Sequence, residues 1–203
     1  MPNVSPGFSQ IAPRERRAIA RRAFVGSLPV LMGYTTMGFA AGVLFAVQAG
    51  APCPALWSFV VALALVSGTM SFAIVPALAA GMSPWGVALL ALGVNFRYAF
   101  YGFSMLKKWR GIPLAQKWFL VHSLADEIYA LDVACRLKDP LRNRLYCLWN
   151  HALNVSYWVA GSVAGALAGA ELPIPSKGIE FAMVALFLVI FTDQMKGLAR
   201  RHE

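Results

Sequence analysis

The sequence predicts an all-α polytopic membrane protein with about six hydrophobic segments, some of them broken or re-entrant. Three observations predict it. The 203 residues are 59% hydrophobic and only 13% charged, against about 25% charged in ordinary soluble domains. The apolar residues gather into runs near the ~20 residues that a helix needs to cross the hydrocarbon core. The basic residues lie between those runs rather than on one face, as loops flanking membrane helices do. A net charge of +9 also suits a nucleic-acid binder, but that reading needs a clustered basic surface, so no nucleic-acid partner is expected.

Residues 1–23 form a basic tail, with Arg14, Arg16, Arg17, Arg21 and Arg22, expected in the cytoplasm with at most a short surface helix. Arg21-Arg22-Ala23-Phe24-Val25 faintly resembles an export signal. The apolar stretch behind it is long and further spans follow, so an uncleaved first span is the reading. The apolar segments run over 24–48, 57–80, 84–106, 113–136, 146–170 and 178–196, which makes 24–196 one transmembrane helical domain and 197–203 a basic C-terminal tail. Six simple crossings put both termini and the 136–144 loop inside, but they put Lys107, Lys108 and Arg110 outside, against the positive-inside bias. Breaks resolve the conflict if segments two and four do not cross as straight rods. Gly68 and Pro76 interrupt the former, and Asp126-Glu127 the latter; broken helices are tolerated where they line a cavity inside protein.

Small residues mark packing faces. Gly38 and Gly42 form one GxxxG, and Gly161, Gly165 and Gly169 a longer series; they let helix backbones approach closely. These are read as internal packing, with docking of a partner subunit as the sharper alternative. No internal repeat is evident. The six tryptophans, among them Trp109 and Trp158, fall mostly near segment ends, as interface anchors do. The three cysteines make no CxxC pair, so neither a zinc site nor a disulfide framework is expected.

The chemistry lies in polar groups at mid-membrane depth. Asn95 and Arg97 sit near the middle of segment three, and Asp126 and Glu127 near the middle of segment four. Ionised groups at that depth cost about 2.5–3.5 kcal/mol each on insertion scales, so they should face each other or a wet cavity. Arg97 is expected to pair with Asp126 and leave Glu127 for another partner. On a continuous helix His122 and Tyr129 share the face of Asp126, Ser123 shares that of Glu127, and Tyr101 lies one turn from Arg97. The candidate substrate-binding residues are Asn95, Arg97, Tyr101, Asp126, Glu127 and Ser71; the candidate proton-coupling residues are Glu127, Asp126 and His122. Asp132 and Arg136 read as an interfacial i,i+4 pair, and Asp193 as interfacial too. His151 and Asn154, one turn apart, read as cross-helix hydrogen-bonding residues. No HExxH or GxSxG occurs, and no enzymatic activity, metal or cofactor is expected.

Four local patterns then resemble the AzlC-type branched-chain amino-acid permease family. They are Leu28-Pro29 with Gly33-Tyr34 and Gly38-Phe39-Ala40-Ala41-Gly42; Asn95-Phe96-Arg97 with Tyr101-Gly102 and Ser104; Leu124-Ala125-Asp126-Glu127; and Trp158-Val159-Ala160-Gly161-Ser162 with Gly165. Order and spacing agree over roughly 24–190. The chain departs from the family pattern at Ser71, where a Gln is usual, at Tyr98 for His, and at Ala125 for Thr, and it stops soon after Asp193. The resemblance implies a subunit of a secondary transporter in the bacterial inner membrane, exporting branched-chain or other hydrophobic amino acids. It also implies a small AzlD-type hydrophobic membrane subunit as partner. The alternative function is a non-transporting membrane subunit whose buried charges only fix helix packing.

Overall fold

The computed structural model describes residues 8–48 and 52–171. After a short 3-10 turn at Phe8–Gln10, seven helices follow among the described residues: α1 Pro13–Gln48, α2 Pro54–Leu65, α3 Gly68–Ala79, α4 Pro84–Met105, α5 Leu114–His122, α6 Asp126–Ala134 and α7 Pro140–Glu171. By length and composition α1 and α4 can each cross a bilayer. The predicted sixth segment, with Asp193 and the C-terminal tail, lies outside the described residues.

The spine is the pair α1 and α7, which run parallel. Thr35 lies against Gly161, Phe39 against Gly165 and Val43 against Gly169, while Glu15 and Arg142 pair at the helix starts. A Cβ on Gly42 would sit 1.9 Å from the Ser162 carbonyl oxygen, and one on Gly165 1.9 Å from that of Phe39. The two glycine series are therefore the two sides of one seam, within the chain. α1 continues unbroken through Pro29 and Gly33, and its arginine-bearing first turns belong to the same helix rather than to a separate surface element. At 36 residues it is about 54 Å long at 1.5 Å per residue, which leaves those turns beyond a ~30 Å hydrocarbon core.

Predicted segments two and four are each split. Segment two breaks at Val66 and Ser67, and Pro76 does not interrupt α3. Ser67 takes extended backbone and its Oγ accepts from the Met70 N–H, a serine N-cap that starts a new helix. Segment four breaks over 123–125, immediately before the expected place, so that Asp126 and Glu127 form the first turn of α6. Acids there complement the positive end of the helix.

Both broken segments are hairpins. Gln116 of α5 accepts from Arg144 near the start of α7, whereas Ser123 at the end of α5 meets His151; α5 thus rises beside α7. α6 returns: the Lys108 ammonium donates to the main-chain oxygens of Asp132 and Cys135 near its C-terminus, where cations are favoured. The α2–α3 pair enters from the other end. Ser58 donates to the Ser162 carbonyl high on α7 and Leu63 contacts His122, then Ser67 meets Asn95 and α3 runs back to the short 80–83 turn. The chain therefore repeats one plan in opposite senses, a long helix and then a hairpin, as inverted-repeat transporters do. Sequence hides it because the plan constrains direction and breakage, not residue type.

This topology settles where the basic loops lie. Met105, Trp109 and Ile112 pack with Ile11, Ile19, Cys135 and Leu145, so the 106–113 and 135–139 loops share the end at which α1 and α7 begin. Lys107, Lys108 and Arg110 do not face the opposite end, as six rod-like crossings would require. Of the basic residues between 8 and 171, all but Arg97 sit at this end, and the 52–53 and 80–83 turns at the other carry no charge. Trp109 and Trp158 are buried core residues, at 1% and 3% exposure, not interface anchors; Trp85 and Trp118 are exposed.

Candidate functional site

The two breaks meet near the middle of the fold and enclose a cavity of about 380 Å3, within the ~300–1,000 Å3 usual for small-molecule sites. Val66, Gly68 and Thr69 come from one break, Ala125, Asp126 and Glu127 from the other. Tyr34 and Met37 of α1, Arg97, Tyr98 and Tyr101 of α4 and Trp158 of α7 complete the wall.

Within it Arg97 Nη2 lies 2.9 Å from Asp126 Oδ2, and Tyr101 donates to Asp126 Oδ1 at 2.9 Å. Asp126 therefore has both oxygens engaged from α4. Glu127 points elsewhere: Tyr34 donates to its Oε2 at 2.8 Å. The Arg97 and Asp126 side chains are 38% and 36% exposed, so the pair faces the cavity rather than being sealed in protein. Arg97 also reaches Thr69 Oγ1 at 3.4 Å in the first turn of α3 and lies over the Tyr98 ring. A guanidinium beside a helix N-terminus places two positive ends together, which favours an anion between them. Tyr101 stacks on Tyr129, ring centroids 4.4 Å apart, which fixes the face of α6 that carries Asp126.

Asn95 is not among the cavity residues; its Oδ1 accepts from Ser67 Oγ at 2.7 Å and so anchors α4 to the first break. Ser71 is buried on α3 with an unpartnered hydroxyl and is also away from the wall. His122 does not share the face of Asp126, because the helix stops between them; its Nε2 meets the Leu63 carbonyl at 2.8 Å instead. Ser123 likewise leaves Glu127 and turns to His151.

Sequence reasoning missed one feature and gave only part of a second, the cross-helix bonding of His151. Val66 sits at φ 40 and ψ 39, a left-handed conformation that a β-branched residue avoids; such strain of about 1–3 kcal/mol gathers at functional sites. The second is a polar network behind the cavity. Asp132 and Arg136 are not an interfacial pair, since α6 ends at Ala134 and Asp132 is 0% exposed. Its Oδ2 lies 3.1 Å from His151 Nε2, and its Oδ1 accepts from Asn150 at 2.9 Å. His151 Nδ1 lies 2.7 Å from Ser123 Oγ, and Asn154 donates to the Asn150 Oδ1. Serine, imidazole and carboxylate follow the order of a hydrolytic triad, yet all three are fully buried and none lines the cavity. The pattern Asp132…Asn150-His151…Asn154 gave the only advance signal: polar residues at helical spacing in otherwise apolar runs.

The sequence matches the family described as "AzlC protein" over residues 29–172. A Haemophilus influenzae "Uncharacterized membrane protein" is 36% identical over 187 residues, 91% of this chain and 74% of that one. The Bacillus subtilis "Branched-chain amino acid transport protein AzlC" is 31% identical over 178 residues, 87% of this chain and 68% of that one. The Escherichia coli "Inner membrane protein YgaZ" is 30% identical over 176 residues, 80% of this chain and 67% of that one. No solved structure matches. The relatives' membrane descriptions agree with the two apolar helices long enough to span, and with a multi-pass protein of the bacterial inner membrane. With the match covering most of the chain and both the Asn95-Phe96-Arg97 and Asp126-Glu127 motifs on the wall or anchor of one cavity, this chain belongs to the AzlC family.

Proposed function

We propose that this protein is the large subunit of a secondary transporter that exports branched-chain or other hydrophobic amino acids, coupled to protons. The observation that carries the reading is the Arg97–Asp126 pair on the wall of a cavity lined by two helix breaks. An amino-acid zwitterion presents a carboxylate and an ammonium close together. Arg97 and the open N–H groups at the start of α3 suit the carboxylate; Asp126 and Glu127 suit the ammonium; Met37, Val66 and Trp158 supply apolar wall. Binding is then an exchange of ion pairs. The empty site pairs its own charges, and the loaded site pairs each with cargo, so neither state leaves a naked charge in the bilayer.

Half-helices that start at a midplane site, entering from opposite ends, are the plan by which transporters expose one site to each side in turn. The positive-inside bias assigns the basic end, with both α1 and α7 starts, to the cytoplasm. Release of Glu127 from Tyr34 gives a carboxylate that takes up a proton as cargo leaves. A small AzlD-type subunit is the proposed partner, and α4 offers it an exposed apolar stripe of Trp85, Leu89, Leu92, Phe96, Phe100 and Phe103.

The test is leucine and valine flux in proteoliposomes, with and without the partner, for wild type, Arg97→Ala and Glu127→Gln. Loss of flux in both variants with insertion intact supports the site. Full flux in both refutes it and leaves the charges as packing elements only.

A further inference from the structure

The sealed network behind the cavity contains one proton too few for its contacts unless the His151–Asp132 pair holds an extra one. Ser123 Oγ lies 2.5 Å from the Phe119 carbonyl and 2.7 Å from His151 Nδ1. A hydroxyl has one hydrogen. If it goes to the carbonyl, which only accepts, then His151 Nδ1 must donate to Ser123. The other ring nitrogen faces Asp132 Oδ2 at 3.1 Å, and that contact also needs a proton. All contacts are satisfied together only when the pair carries two protons, as imidazolium with carboxylate or as imidazole with carboxylic acid.

Removing one proton rearranges the chain of bonds in a defined way. The Nε2–H donates to Asp132, Nδ1 becomes an acceptor, and the Ser123 hydroxyl turns to it. The Phe119 carbonyl at the C-terminus of α5 then loses its side-chain donor. Groups from three elements face the pair. On the loop before α5, the Lys108 ammonium sits on the Asp132 main-chain oxygen and Trp109 edges the imidazole. On α7, Cys147 and Tyr146 lie near Asp132 and Asn150 donates to it. On α5, Phe119 lies beside the ring. Lys108 thus brings a positive charge to the backbone of the residue that carries the carboxylate. Every residue of the relay itself, Ser123, Asp132, Asn150 and His151, is 0% exposed.

We propose that Asp132 and His151 form a second, buried proton-binding site, separate from the cavity carboxylates, whose occupancy decides whether the Ser123 hydroxyl joins the backbone Ser123 N–H on the Phe119 carbonyl at the end of α5. Six helical steps, about 9 Å along the helix axis, separate Asp132 from Asp126 on α6. Leu124 and Ala125 alone separate Ser123 from the cavity's acidic turn. Proton binding is thereby tied to the geometry of the break that carries Asp126 and Glu127.

Nitrogen NMR of the purified chain with 15N-labelled histidine reads this directly, since the two ring nitrogens report their own protons. His122 and His202 are identified by substitution. The expected result is a His151 signal with both nitrogens protonated in mild acid, converting to one tautomer as pH rises. Ser123→Ala should shift that conversion while the protein stays folded, and Asp132→Asn should leave one tautomer throughout. A single tautomer in wild type across the whole range overturns the proposal, as does a conversion that neither variant moves. The spectrum needs no transport, so it stands or falls separately from the proposed cargo.

Discussion

Substituting alanine for Gly42 or Gly165 should separate the two spine helices, whereas Gly33→Ala in the same α1 should be harmless. The added Cβ at Gly42 meets the Ser162 carbonyl oxygen at 1.9 Å and the Ala166 nitrogen at 2.7 Å, and at Gly165 it meets the Phe39 carbonyl oxygen at 1.9 Å. These are backbone atoms and no rotamer change relieves them. Real Cβ contacts essentially never fall below 3.0 Å, so the helices must move apart by roughly 1 Å, a gap that forfeits a quarter to a half of each dispersion contact it opens. Overpacking costs about 1–3 kcal/mol where side chains can yield, and a rigid seam belongs at or above the top of that range. Around Gly33 nothing lies within 4 Å, and replacing a mid-helix glycine returns about 0.8–1 kcal/mol of helix propensity. The two substitutions therefore differ in sign. Thermal unfolding in detergent, followed by tryptophan fluorescence and size-exclusion homogeneity, measures it. Wild-type melting of Gly42→Ala and Gly165→Ala would refute the close seam, as would equal destabilisation by Gly33→Ala.

Three further outcomes follow from the site and its supports. Ala125 occupies the N-cap of α6 without a side-chain acceptor, so Ala125→Thr should raise stability by about 0.5–2 kcal/mol, read as a higher melting temperature. Tyr34→Phe removes the donor on Glu127 Oε2; a hydrogen bond to a charged group is worth about 1.5–3 kcal/mol, and half-saturation for leucine should move while the protein level does not. Single cysteines at Met82 and Lys108, in a background lacking the native three, should label from opposite sides of the membrane, because the hairpins return the 106–113 loop to the end where α1 begins.

Much of this was legible in the sequence where a residue type has one cheap place to be. An arginine and two acids in apolar runs must meet or reach water, and Arg97 with Asp126 does both. Glycines at four-residue spacing announce a close seam, and here α1 and α7 supply its two sides. The break positions were harder. Pro76 looks like a breaker but lies within α3, whereas the break falls at Val66, which disfavours the conformation it adopts. Tertiary contacts decide there: Ser67 is held by Asn95 from α4, a bond that no local pattern reveals. The same failure displaced His122, whereas Asp132 lost its i+4 partner because α6 ends at Ala134. The assignment of His122 assumed one continuous helix over 113–136, and three non-helical residues at 123–125 rotate everything before them away from Asp126. Asp132 faces α7 instead of Arg136, and its partners are eighteen and nineteen residues away in sequence.

The most direct test of the central claim is substrate protection of the break residues. Thr69→Cys and Ala125→Cys, each in a cysteine-free background with the partner subunit present, are exposed to a membrane-impermeant thiol reagent with and without leucine. If cargo binds between the two breaks, leucine slows labelling at both positions and leaves labelling at Met82→Cys unchanged. Transport-competent protein whose Thr69 and Ala125 positions react at the same rate with saturating leucine would contradict the account.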